Sequence, residues 1–247
     1  MPILPKAFAF DIFGTVVDWR AGVARESAPR LAAIGRPDID PHRFADAWRS
    51  RYVPAMAAVR EGRRPWVVLD TLHREMLTAT LDAEGVDSGA LPDALLAEWT
   101  LAWHRLDPWP DSVAGLHRLK ALAPIVTLSN GNVALIVAMA RRAGLPWDAV
   151  LGAELARAYK PDPQAYLATA AALAVAPGEL CLVAAHHSDL AAARACGFRT
   201  AYVDRPLERG GAPAPDAGHR QDWDWTAAGL DDLVDQMERL AGQASSR

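Results

Sequence analysis

The sequence predicts an α/β protein in which a helical cap is inserted into a parallel-sheet core. Three observations carry that expectation. A short apolar run, Ala7-Phe8-Ala9-Phe10, ends on Asp11 and is followed at once by the turn-forming pair Gly14-Thr15. Residues 18–104 then read as mainly helical. From Pro108 onward, strand-like apolar runs alternate with helical stretches, the pattern of βα units in a parallel sheet with helices on both faces. The expected architecture is a Rossmann-like core built from residues 1–17 and 105–247, with a cap domain at 18–104 over the carboxyl edge of the sheet.

The first run is short, apolar on both alternations and closed by a turn signal, as a strand buried on both faces should be. In the cap, Ala, Leu, Arg and Glu are frequent. Breaks fall at Gly35-Arg36-Pro37, Gly62-Arg63-Arg64-Pro65 and Gly85-Val86-Asp87-Ser88-Gly89. Leu69, Leu72, Met76 and Leu77 keep helical spacing, and so do Leu91, Leu95, Leu96 and Trp99. In the second half, strands are expected at 124–129, 149–151, 180–184, 199–203 and 223–227. Helices fill the intervals, and a last helix is expected at 230–241. The stretch from Arg209 to Gly218 is loop-like, and Gln243 to Arg247 reads as a frayed tail.

A chain of 247 residues, 51% of them hydrophobic, is long enough for a sizeable core. Its net charge of -4, with no dense basic block, argues against nucleic acid as a partner. No apolar run approaches the ~20 residues of a membrane-spanning helix. The N-terminal stretch lacks a signal-peptide pattern, so no membrane partner is expected. Cys181 and Cys196 stand in unrelated contexts without metal-ligand spacing, which implies a reduced, cytoplasmic setting. Only Lys6, Lys120 and Lys160 are lysines, and this limits where amine chemistry can occur.

Ligands of parallel sheets bind beyond the carboxyl ends of the strands, so ionisable groups at strand ends are the candidate site. Asp11 ends the first run. A carboxylate there is costly unless hydrogen-bonded or used, which makes it a candidate nucleophile; a turn or helix cap is its plain structural use. Ile125-Val126-Thr127-Leu128-Ser129-Asn130-Gly131-Asn132 is a second apolar run ending in small polar residues. Ala158-Tyr159-Lys160-Pro161-Asp162 places a lysine on a loop or helix start. Leu180-Cys181-Leu182-Val183-Ala184-Ala185-His186-His187-Ser188-Asp189 is a third run ending in ionisable groups. Taken singly, each has an ordinary use: Ser129 and Asn130 in a turn, Lys160 in solvent, Tyr166 in the core, Asp189 as a helix cap. Taken in this order and strand context, the chain resembles the haloacid dehalogenase superfamily over roughly its whole length.

Within that superfamily, phosphatases and mutases carry a second aspartate two residues after the first. Here Phe13 stands there, and it cannot move a proton. Ala184, Ala185, His186 and His187 before Asp189 make a poor oxygen-ligand set for Mg²⁺. The phosphonate-cleaving branch needs a cap lysine, and none lies between Lys6 and Lys120. The motifs Asp11-Ile12-Phe13-Gly14-Thr15, Leu128-Ser129-Asn130-Gly131, Tyr159-Lys160-Pro161-Asp162 with Tyr166, and Ser188-Asp189-Leu190 are similar to the L-2-haloacid dehalogenase (type II) branch.

That resemblance implies metal-free and cofactor-free hydrolysis of short 2-haloalkanoic acids. Asp11 would displace halide from C2 with inversion, and hydrolysis of the resulting ester would release the 2-hydroxy acid. It implies that Lys160 holds Asp11 ionised, that Thr15, Ser129 and backbone N–H groups hold the substrate carboxylate, and that Asp189 is the base for the ester-cleaving water. A cap arginine would cradle the halide. Counting from Trp48-Arg49 and back from Leu69-Asp70-Thr71-Leu72 puts it at Arg60. Asn130, Tyr166, Phe13 and Trp66 are expected in the same pocket. Ala184 and His186 replace a Ser and an Asn of better-known members. His186 is therefore expected to donate to the halide or the substrate carboxylate and to favour fluoride, so that fluoroacetate becomes a substrate. His187 is the alternative for that role, unless both histidines are structural. Family members are often homodimers, and a homodimer is expected here. Two competing expectations are a Mg²⁺-dependent phosphatase-like hydrolase and a catalytically silent binding relative.

Overall fold

The computed structural model describes residues 4–245. Its centre is a five-stranded sheet in the order β4-β1-β5-β6-β7. The strands are β1 (Ala7–Phe10), β4 (Ile125–Thr127), β5 (Leu180–Ala184), β6 (Arg199–Val203) and β7 (Trp225–Ala227), and every pairing is parallel. Alternate side chains of one strand enter different cores, as the two-residue period of a strand requires. Phe8 and Phe10 pack with Leu116 and Leu119 of α6 (Ser112–Leu122), Ile136 and Met139 of α7 (Val133–Ala143), and Leu233 and Met237 of α11 (Leu230–Ser245). Ala7 and Ala9 pack with Tyr166 and Ala170 of α9 (Pro163–Ala172) and Leu190 and Ala193 of α10 (His187–Ala195). Helices on both faces explain why these strands are apolar on both alternations.

The cap leaves and rejoins the core through a narrow neck. Val17–Asp18 (β2) and Asp107–Pro108 (β3) pair antiparallel, with Asp18 opposite Asp107. Between them lie α1 (Trp19–Ala33), α2 (Pro41–Ser50), α3 (Tyr52–Arg60), α4 (Leu69–Ala83) and α5 (Asp93–Thr100). Asp18 caps α1 by accepting from the Ala21 N–H at 3.0 Å. Asp40 caps α2 by accepting from the Arg43 N–H at 2.8 Å, with Pro41 pre-set in the first turn. Buried tryptophans fill the interior, and two of them find polar partners across the cap. Trp99 Nε1 donates to Ser27 Oγ at 3.0 Å, and Trp48 Nε1 donates to the His73 carbonyl at 3.1 Å.

Two expectations change. Residues 149–151 do not form a strand: Ala149 and Gly152 make only isolated bridges, to Val126 and Ser129. The reason lies in Thr127, whose hydroxyl donates to the Leu151 carbonyl at 2.7 Å and accepts from the Leu151 N–H at 3.0 Å. A side chain thereby takes over bonds that a ladder would have used. The last helix runs past 241 to Ser245, so part of the expected tail is helical. Residues 246–247 of that tail lie outside the described residues. Among the described residues, no helix is long and apolar enough to cross a membrane.

Candidate active site

The carboxyl ends of β1, β4 and β5 open towards the cap, and the polar groups gather there. Asp11 leaves β1 with its N–H donating to the Val183 carbonyl at 3.0 Å, which fixes the backbone beneath the carboxylate. Asp11 Oδ1 accepts from Lys160 Nζ at 2.9 Å. Asp11 Oδ2 accepts from Thr15 Oγ1 at 2.7 Å and lies 3.1 Å from His186 Nδ1. Thr15 Oγ1 in turn accepts from the Ala185 N–H at 2.9 Å, tying the first turn to the end of β5. Lys160 Nζ also donates to Asp189 Oδ2 at 2.5 Å, and Tyr166 donates through its hydroxyl to Asp189 Oδ1 at 2.6 Å. The lysine is itself placed from the β4 end, where Asn130 Oδ1 accepts the Lys160 N–H at 2.8 Å.

Burial alone would raise the Asp11 carboxyl, but the Lys160 ammonium and the His186 ring hold it far below the carboxylate range. Asp189 is shifted the other way: burial, helped by repulsion from Asp11, outweighs Lys160 and raises it. Lys160 stays firmly protonated, because two carboxylates overcome its burial. The two acids thus share one ammonium, and Phe13, two residues after Asp11, offers no oxygen ligand. This donor set does not fit Mg²⁺.

His186 and His187 separate cleanly. His187 is stacked at 4.4 Å on Tyr202, and its Nδ1 accepts from Trp223 Nε1 at 3.1 Å, so it belongs to the packing beside β6. His186 faces Asp11, and its Nε2 lies 3.1 Å from both oxygens of Glu208. Burial depresses this imidazole, yet the charge of Glu208 and the bonds to Asp11 and Glu208 push it up to about 10. Glu208, lowered to about 2 mainly by His186 against its burial, also accepts from Trp19 Nε1 at 2.8 Å. It presses on Gly14, whose φ of +90° and lack of a Cβ leave room for the carboxylate. Glu208 was not expected from the sequence. Its one sequence signal is a position shortly past the carboxyl end of β6.

Two cap arginines differ in their surroundings. Arg60 ends α3 half-buried, whereas the Arg49 guanidinium of α2 lies 3.9 Å over the Tyr52 ring and 5.6 Å over Phe13. Arg49 Nη1 is buried, and no partner for it exists among the described residues. Tyr52 also reaches across from the cap to the Asn130 side chain. Phe13 meets Trp103 edge-on at 5.7 Å. Trp66 instead packs at a tilt against Tyr159, with ring centroids 4.6 Å apart, in the seam where the Tyr159 hydroxyl donates to the Val67 carbonyl. Ser129 is buried at the end of β4, its hydroxyl accepting from the Gly131 N–H at 3.0 Å rather than meeting Asp11.

The family model for haloacid dehalogenase-like hydrolases matches residues 5–197. The chain belongs to that family. Among solved structures, a defluorinating L-2-haloacid dehalogenase is 46% identical, with a TM-score of 0.91 and 95% of each chain covered. The (S)-2-haloacid dehalogenase of Xanthobacter autotrophicus is 32% identical over 206 residues, 81% of this chain and 75% of that protein. The L-2-haloacid dehalogenase structure from the same organism with chloropropionic acid covalently bound is 25% identical. Its TM-score is 0.79, with 95% of this chain and 99% of that one covered. In this haloacid dehalogenase-like hydrolase, the resemblance read from strand-end motifs therefore extends to the whole α/β core and its helical insertion.

Proposed function

We propose that this hydrolase is an (S)-2-haloacid dehalogenase that works through an ester on Asp11. The observation that carries the reading is the Asp11 carboxylate, buried and kept ionised by Lys160 at 2.9 Å, with Phe13 where a phosphatase needs its second acid. An ionised carboxylate stripped of water and fixed by its neighbours is a competent nucleophile towards C2. The covalently bound chloropropionate of the Xanthobacter autotrophicus relative supports the same route.

In this reading Asp11 attacks C2 opposite the halide and inverts the centre. Asp189 and Tyr166 hold Lys160 against Asp11. Arg49 receives the departing halide, while Ser129 and the backbone N–H groups after β4 anchor the substrate carboxylate. The His186 imidazolium, 3.1 Å from Asp11 Oδ2, adds positive charge near the centre where negative charge develops. Fluoride gains most from such stabilisation, so fluoroacetate belongs to the substrate range. The defluorinating relative at 46% identity supports that extension. A cytoplasmic setting accompanies the reading, with Cys181 and Cys196 as free thiols.

The test is halide release from both 2-chloropropionate enantiomers and fluoroacetate in the presence of EDTA, with a single turnover in ¹⁸O water. We expect release from the (S)-enantiomer and label in Asp11. Activity confined to p-nitrophenyl phosphate and dependent on Mg²⁺ would overturn the assignment.

A further inference from the structure

The hydrolytic half of the cycle needs a base that can reach a water beside the Asp11 carbonyl carbon. Asp189 is poorly placed for it. Both of its oxygens are engaged, by Lys160 at 2.5 Å and Tyr166 at 2.6 Å, which commits it to holding the ammonium. On the other flank of Asp11 stands a constellation that the alkylation step does not fully use: nucleophile, imidazole and orienting carboxylate in line. His186 Nδ1 is 3.1 Å from Asp11 Oδ2, and Nε2 is 3.1 Å from Glu208. Glu208 is fixed in its turn by Trp19 Nε1 and by the space at Gly14. A base within reach of the reacting group, itself aligned by a third residue, is the general signature of an activating dyad.

We propose that His186, positioned by Glu208, is the general base that activates water to hydrolyse the Asp11 ester. The inference rests on the ester route proposed above. The groups facing the His186 ring are Asp11 and Glu208. Lys160 lies beyond Asp11, the charge of Arg49 reaches Glu208, and His187 follows in the chain. In the resting enzyme two anions hold the ring as an imidazolium, whose charge favours departure of the halide. Esterification turns Asp11 neutral and removes one of those anions, which loosens the hold of His186 on its proton; that proton is the acid equivalent of the overall reaction. Nε2–H then stays on Glu208, leaving the Nδ1 lone pair towards the ester.

A water oxygen bonds to Asp11 Cγ while its proton passes to Nδ1. Collapse breaks the Cγ–O bond to the alkyl group, and His186 returns that proton to the departing alkoxide, forming the 2-hydroxy acid. The remaining proton moves from the Asp11 carboxyl to His186 and restores the starting state. One imidazole thus serves both halves of the cycle because the charge of Asp11 sets its protonation.

The deciding experiment mixes His186→Asn or Glu208→Gln with excess (S)-2-chloropropionate. Halide is followed by rapid quench, and the Asp11 peptide is examined by mass spectrometry. We expect His186→Asn to release about one halide per site in a burst, to accumulate the Asp11 ester, and to turn over ~10²–10⁴-fold more slowly. Glu208→Gln should slow hydrolysis less and move the acid limb of its pH profile to lower pH, because the ring loses a charge that favours its proton. Purely structural damage would not produce that shift. Burst and turnover falling together without trapped ester would overturn the proposal, and so would ester accumulation in Asp189→Asn while His186→Asn hydrolyses normally. Absence of ester in every variant, with ¹⁸O entering product alone, would instead remove the covalent route itself.

Discussion

Arg49 shows how a single side chain can be placed for use rather than for stability. A guanidinium enclosed by Tyr52, Phe13 and Trp19, with a buried nitrogen lacking a partner, is an expensive arrangement to fold. The aromatic faces return part of that cost through cation–π attraction, yet one donor is left for an incoming anion. Arg60, the half-buried last residue of α3, has no comparable aromatic enclosure. We therefore expect Arg49→Ala to lower kcat/KM for 2-chloropropionate by ~10²-fold or more, while Arg60→Ala stays within about threefold. Arg49→Lys should not restore activity, because an ammonium cannot stack on Tyr52 and present a second donor at once. Halide-release kinetics on the three variants decide the matter, and equal losses at positions 49 and 60 would contradict this placement.

At the scale of elements, legibility followed how local each signal was. The strands at 180–184 and 199–203 were readable to the residue, because a strand covered on both faces has to be apolar throughout. Of the candidate site residues, Asp11, Thr15 and His186 lie just past strand ends, and Lys160, Tyr166 and Asp189 on the loop and helices beyond them; position past a carboxyl edge is the local signal that singles them out. Residues 149–151 looked the same in sequence but lost their ladder to the Thr127 hydroxyl, a tertiary effect invisible in the run itself. Arg49 and Glu208 carry no such local signal, for a related reason. Arg49 comes from a cap helix and meets Phe13 only when the cap docks on the core, while Glu208 comes from a core loop beyond β6 that tertiary folding brings to His186 and Gly14. That docking is polar as well as apolar. Asn132, just before α7, donates through Nδ2 to Asp70 Oδ2 of α4 at 2.9 Å, and the Tyr159 hydroxyl donates to the Val67 carbonyl at 2.8 Å.

Over the whole molecule, two properties remain to be measured, assembly and response to pH. Val53 on α3 is 62% exposed, and such apolar surface on a cap helix suits self-association, so a two-fold dimer is expected by light scattering at micromolar concentration. A monomer mass would refute it. The buried charges make the second expectation sharper. Asp11 and Glu208 titrate below their ordinary values, so the stability they contribute is present above an unfolded pKa of ~4 and is lost as pH falls through their folded values. His186 works in the opposite direction. Its folded value of about 10 lies above the unfolded ~6.5, so its contribution is complete below ~6.5 and drains away as pH rises to 10. Lys160, also raised, keeps its contribution until the pH passes the ordinary lysine range. Between pH 6.5 and 10, then, His186 should dominate the decline among these buried groups. The melting temperature should fall across that window by ~2–4 °C for each kcal/mol lost. Scanning calorimetry at several pH values should show a flatter slope for His186→Asn, from a lower starting point, because Asp11 and Glu208 lose the cation between them. Parallel slopes in the two proteins would mean that His186 is not held as an imidazolium in the resting fold, and its part in the departure of halide would fall with that result.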